Sequence, residues 1–294
     1  MQKLEGTGVA LVTPFLKIKE VDYVGLEKLL VHTAKGVDYF VVMGTTGESA
    51  TLSNDEKLKV LDFVKTHNPK KLPIVYGIGG NNTQAVVQSI KQTPLKGVDA
   101  ILSVSPYYNK PSQEGIYQHF KAVAEASKLP IILYNVPGRT ASNLTASTTL
   151  RLSEIKNIIG VKEASGNLEQ CMNISRKMSR DFMLISGDDL LTLAFYAIGG
   201  HGVISVLANA FPETFKQIKE RSLKGDFKKA STSQFSLLDI NGPMYEEGNP
   251  VGVKLVLKEM GICEEHCRLP LAPASTELKQ KVKTLLKGMG IKKG

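Results

Sequence analysis

Tryptophan is absent from this chain, and aromatic residues as a whole make up only 6% of it. With no ladder of basic and aromatic residues either, a platform for stacking nucleotide bases is missing. Cysteine is scarce: Cys171, Cys263 and Cys267 are an odd number in 294 residues, which argues against a disulfide framework and agrees with a reducing compartment. No stretch approaches the roughly 18 apolar residues that a membrane helix needs. The opening residues Met1-Gln2-Lys3-Leu4-Glu5-Gly6 carry an acidic residue and no apolar run, so no signal peptide is expected. A cytoplasmic protein, bound to neither membrane nor nucleic acid, is the expectation.

Cofactor signatures are missing too. Gly77-Ile78-Gly79-Gly80-Asn81-Asn82 has an asparagine where the third glycine of a dinucleotide loop belongs. Cys263, His266 and Cys267 lack a matching second pair, and His32, His67, His119, His201 and His266 show no zinc-protease spacing, so no metal is expected. His201, inside Gly199-Gly200-His201-Gly202, reads as a turn or strand-initiating residue. The net charge of +9 is spread along the predicted helices, with local excess only around Lys216 to Lys229 and Lys279 to Lys293. A positive field that draws small anionic substrates toward a cleft accounts for it.

What is present is a repeated unit. Apolar, β-branched runs recur at Val9–Val12, Phe40–Met43, Ile74–Ile78, Ala100–Val104, Ile131–Tyr134, Ile158–Lys162, Phe182–Ile185 and Val203–Val206. Segments of helical periodicity lie between them, one opened by the capping box Ser53-x-x-Glu56. Continuous apolar strands alternating with amphipathic helices imply parallel strands covered on the outside, and eight such units fit a (β/α)8 TIM barrel better than an open sheet. From Phe211 onward strands stop. The expectation is a barrel over 1–224 and a small C-terminal α-helical appendage over 225–294, with Asn241-Gly242-Pro243 and Arg268–Pro273 as helix breakers.

In such a barrel, chemistry gathers at the carboxyl ends of the strands. Lys162 ends an apolar run there, and a desolvated lysine gains neutral amine that attacks carbonyls. Tyr107, Tyr108 and Tyr134 end neighbouring strands, with Arg139 shortly after; these supply proton relays and a fork for a carboxylate. Gly44-Thr45-Thr46-Gly47-Glu48 offers hydroxyls and amides between glycines, and it is not a P-loop because no lysine follows. On residues alone, the reading is a Schiff-base lyase. A binding barrel in which Lys162 is chemically silent remains the alternative of another class.

The ordered set Gly44–Glu48, Tyr107-Tyr108-Asn109-Lys110-Pro111-Ser112, Tyr134-Asn135-Val136-Pro137-Gly138-Arg139-Thr140, Val161-Lys162-Glu163-Ala164-Ser165-Gly166 and Ser186-Gly187-Asp188-Asp189 resembles the dihydrodipicolinate synthase family. The likeness runs from Gly8–Pro14 to the helical C-terminus. Sister pyruvate lyases, such as N-acetylneuraminate lyase and 2-keto-3-deoxy sugar acid aldolases, share part of it. Arg139 and the paired Thr45-Thr46 favour the synthase.

The resemblance implies condensation of pyruvate with L-aspartate 4-semialdehyde to 4-hydroxy-tetrahydrodipicolinate, the first committed step of diaminopimelate and lysine biosynthesis. No cofactor is implied, since pyruvate is held covalently. Lys162 would form the Schiff base and Tyr134 would move its protons. Thr45 would link Tyr134 to Tyr108, which comes from a neighbouring subunit. Thr46 would receive the pyruvate carboxylate, Arg139 the carboxylate of the semialdehyde, and main-chain groups of Gly187 and Ile204 would shape the pocket. Many relatives are homotetramers of tight dimers inhibited by lysine. Here Ser49, Ala50, Asn81 and Tyr107 fit that regulatory pocket, but its histidines appear as Asn54 and Lys57 and its glutamate as Ala85, which predicts weak or absent feedback.

Overall fold

A computed structural model describes residues 2–291. Eight parallel strands close in sequence order: β1 (Gly6–Ala10), β2 (Tyr39–Val42), β3 (Ile74–Gly77), β4 (Ala100–Val104), β5 (Ile131–Asn135), β6 (Ile158–Glu163), β7 (Met183–Ser186) and β8 (Gly202–Ser205). β8 pairs back with β1, so the sheet has no edge. The expected runs and the observed strands agree to within a few residues. The largest shift is at β1, which starts at Gly6 rather than at the β-branched pair: the ring of Tyr39 fills the barrel beside Gly8, where a Cβ would lie 2.2 Å from its Cε2.

Alternation along each strand sorts the side chains into two cores. Val41, Val75, Leu102, Ile132, Tyr134, Met183, Ile185 and Ile204 fill the barrel interior. Val9, Phe40, Val42, Ile101, Leu133, Val161, Leu184 and Val203 face outward against the helices. The capping box forms in both directions: Ser53 Oγ accepts from Glu56 N, and Glu56 Oε2 accepts from Ser53 N at 2.8 Å.

After the last barrel helix, Pro212–Leu223, come Phe227–Phe235, Leu238–Tyr245, Val251–Glu259 and Thr276–Gly288. The expected breaker Asn241-Gly242-Pro243 lies inside the helix Leu238–Tyr245 instead. The chain breaks earlier, around Ser236 and Leu237, and Ile240, Pro243 and Met244 then form the buried face of a short helix. Proline there forfeits one backbone bond but packs well, and tertiary packing overrides local propensity. The Lys279–Lys293 basic stretch ends in Lys292 and Lys293, which lie outside the described residues, as does the final residue of the 225–294 segment.

Candidate active site

Strand pairing sets the two central groups side by side. Tyr134 on β5 is the registered neighbour of Lys162 on β6, and both point into the barrel. The Lys162 Nζ lies 4.4 Å from the centroid of the Tyr134 ring. Lys162 is only 6% exposed, and among the described residues no carboxylate lies within ion-pairing distance of it. An amine without a carboxylate partner is not committed to a salt bridge and stays open to a carbonyl.

One residue further along the same pair of strands, Asn135 and Glu163 face outward. Asn135 Nδ2 donates to both oxygens of Glu163, at 3.1 and 3.0 Å, and Glu163 also accepts from Ser165 N at 2.8 Å and Gln170 Nε2 at 2.9 Å. This buried network holds β5 and β6 in the register that places Tyr134 beside Lys162.

Lys162 and Tyr134 line a cavity of about 400 Å3 with Thr45, Thr46, Arg139, Gly187 and Asp188. Thr46 is buried and Arg139 is exposed at the rim, on the short helix Pro137–Thr140 that follows β5. Gly187 is needed without a side chain. A Cβ there would sit 2.6 Å from Ala164 Cβ and 3.1 Å from Lys162 Cε. Ile204 is buried in the interior cluster below, and Val206 lines the wall above it.

The Gly44–Glu48 loop is shaped by groups distant in sequence. Thr13 Oγ1 donates to Gly47 O at 2.7 Å. Glu48 takes a left-handed conformation, φ 52°, and its carboxylate meets Lys254 Nζ at 2.5 Å and Arg268 N at 2.9 Å. Both members of the Glu48–Lys254 pair are fully buried. Asn249 Nδ2 donates to Thr46 Oγ1 at 3.0 Å, and Tyr245 enters the cavity wall beside it. Tyr245 and Asn249 are the site residues that sequence reasoning missed. The only signal was their place between two short helical patterns, since no strand end leads to them.

Tyr108 is not part of the cavity within one chain: it is 85% exposed with φ 74°. Tyr107 lines a second, larger cavity of about 990 Å3 with Ser49, Ala50, Asn54, Lys57, Asn81 and Ala85. The two cavities share Gly44, Thr45, Leu102, Tyr134 and Asn249 as walls.

The other candidates have structural roles. The loop after β3 presents Asn82 as the cap of helix Thr83–Gln92, accepting from Ala85 N at 3.2 Å, and Gly77 and Gly79 make room for the chain at Met43 and Val104. His201 precedes β8, where its Nδ1 accepts from Leu184 N. Burial pushes the Cys263 thiol up to about 12 and Cys267 to about 11, so neither is a thiolate. Among the described residues, no three His, Cys, Asp or Glu side chains cluster as a metal set.

Comparison with known proteins agrees with this geometry. The profile described as "Dihydrodipicolinate synthetase family" matches residues 3–289. A 4-hydroxy-tetrahydrodipicolinate synthase of Cytophaga hutchinsonii is 50% identical, over 96% of this chain and 95% of that protein. A dihydrodipicolinate synthase of Cyanidioschyzon merolae, solved with lysine bound, superposes with a TM-score of 0.94 at 39% identity, covering 98% of this chain and 99% of the other. A monomeric dihydrodipicolinate synthase variant superposes at 0.95 with 36% identity, covering 99% and 98%.

Proposed function

This chain belongs to the dihydrodipicolinate synthetase family, and on that footing we propose that Lys162 carries its reaction through a Schiff base with pyruvate. The reaction is the condensation of pyruvate with L-aspartate 4-semialdehyde to 4-hydroxy-tetrahydrodipicolinate, a lyase activity at the start of lysine biosynthesis. The sister-lyase alternative gives way to it, because the curated relatives at 44 to 50% identity carry the synthase name.

The Lys162 amine adds to the keto carbon of pyruvate, and Tyr134 supplies the proton that lets the hydroxyl leave as water. Loss of a proton from the methyl carbon gives the enamine. Its carbon attacks the aldehyde of the second substrate, whose own amine then adds to the imine carbon, closes the ring and releases Lys162. Thr46 and neighbouring main-chain groups receive the pyruvate carboxylate, Arg139 at the rim takes the semialdehyde's, and the backbone around Gly187 and Ile204 shapes the floor. The covalent link to lysine does the carbonyl activation, so no cofactor or metal enters.

The observation that carries this reading is the registered pair Tyr134–Lys162, amine over ring at 4.4 Å, in a cavity that also holds Thr46 and Arg139. Incubation with pyruvate and borohydride should fix a mass adduct on the peptide containing Lys162. Lys162→Ala should lose the adduct and the activity. An adduct located elsewhere would reject the assignment.

The relay is completed by a second copy of the chain in the cytoplasm. Thr45 is exposed, and Tyr108 projects away from its own cavity, with Tyr107 at 41% exposure and Leu269 at 81%. These groups suit an interface through which one subunit lends Tyr108 to the other, within a homotetramer of tight dimers. Sedimentation at assay concentration should show an oligomer, and a fully active monomer would refute the shared tyrosine.

A further inference from the structure

Tyr245, the last residue of helix Leu238–Tyr245, and Asn249, in the segment leading to helix Val251–Glu259, line the cavity. The Tyr245 hydroxyl donates to Asp189 Oδ2 at 2.9 Å. That oxygen also accepts from Val206 N at 3.2 Å and Leu207 N at 3.1 Å, and Asp189 is 2% exposed. Burial, then the neighbouring Asp189, holds the Tyr245 phenol well above its ordinary pKa. The phenol keeps its proton and commits it to Asp189, so its lone pairs remain free to accept. Asn249 braces the wall beside it. Its Nδ2 is taken by Thr46, while Oδ1 of this 8% exposed residue is buried without a partner.

Asp188, the carboxylate among the lining residues, accepts from Leu190 N through Oδ1 at 3.0 Å, and Lys162 and Arg139 are the cationic groups of the cavity. They suit a carbonyl and a carboxylate and repel an ammonium. The amino-aldehyde brings such an ammonium, with three donors that lose water on entering.

We infer that Tyr245, fixed by Asp189, is a specificity-determining residue whose hydroxyl oxygen accepts from the α-ammonium of the amino-aldehyde. The inference rests on the function proposed above. A phenol donating to a buried carboxylate is a stronger acceptor than a free one, because hydrogen bonds in a chain polarise each other. An aldehyde of the same skeleton without the amine draws nothing from this contact.

The test uses the full chain, wild type and Tyr245→Phe, which keeps the ring and removes only the hydroxyl. KM is measured for L-aspartate 4-semialdehyde and for pyruvate, inhibition is measured with succinate semialdehyde, and pyruvate is trapped with borohydride. For Tyr245→Phe, KM for the amino-aldehyde should rise about 10-fold or more. KM for pyruvate, the adduct on Lys162 and inhibition by succinate semialdehyde should not change. Asp189→Asn keeps the shape but removes the charge behind the phenol, and should raise the same KM by about threefold. Unchanged KM for the amino-aldehyde in Tyr245→Phe, or equal weakening of both aldehydes, overturns the inference. Unchanged KM in Asp189→Asn overturns the part given to the carboxylate. If wild type traps no pyruvate, the Schiff-base reading fails first and this one falls with it. Normal trapping with unaltered discrimination sinks Tyr245 alone.

Discussion

Lys254 and Lys162 are both buried, at 0% and 6% exposure, but their surroundings differ. Lys254 is neutralised by Glu48 and donates to His266 O at 2.8 Å, so its charge is fully answered. Lys162 has an aromatic face and an open cavity instead. The sequence shows the second through its position at the end of an apolar run, whereas Lys254 sits in an ordinary helical pattern and gives no such sign. The space around Lys162 is just as specific. Gly187→Ala would place a methyl 2.6 Å from Ala164 Cβ and 3.1 Å from Lys162 Cε, so Ala164 must shift and the lysine stem must give slightly. A displacement on the order of 1 Å costs about 100-fold in kcat, so this smaller shift should lower kcat by roughly 10-fold. Pyruvate trapping should slow in parallel, and Gly187→Ala/Ala164→Gly should recover part of the rate. Wild-type turnover in Gly187→Ala would show that the contact is unimportant.

Among the elements, the strands were legible because a strand buried on both faces must be apolar throughout. The tight register at the site could not be read, because it depends on Asn135 and Glu163 meeting across β5 and β6, and pairing partners are not written in either run alone. The C-terminal helices were legible as helices, but their attachment was hidden. The appendage also serves as a wall: Tyr245, Asn249 and Lys254 all reach the Gly44–Glu48 loop or the cavity it lines. Glu48 holds φ 52°, which a non-glycine residue adopts only when its surroundings insist. Lys254→Met would leave that carboxylate buried and unpaired, a loss of about 3–5 kcal/mol. Denaturant unfolding should show the loss, and Lys254→Met/Glu48→Gln should regain much of it. Equal stability of wild type and Lys254→Met would mean that the pair does not brace the loop.

At the scale of the whole molecule, the charge along the second cavity decides which small molecules it can hold. L-Lysine is an amino acid with two ammonium groups and one carboxylate, so a pocket that grips it must offer acidic or carbonyl acceptors. Among the described residues lining this cavity, Glu48 is the only carboxylate. It is already occupied by Lys254 and by the backbone of Arg268. Lys57 adds a positive charge to the same wall, where Ala85 and Asn54 supply none of the opposite sign. Like charge and a missing partner both oppose binding, and each hydrogen bond to a charged group that is not made forgoes about 1.5–3 kcal/mol. Initial rates should therefore be unaffected by millimolar L-lysine. Ala85→Glu with Lys57→His, which restores an acid and removes the cation, should introduce inhibition. Micromolar inhibition of the wild-type chain would refute the argument, because it would require a grip on the ammonium that this wall does not provide.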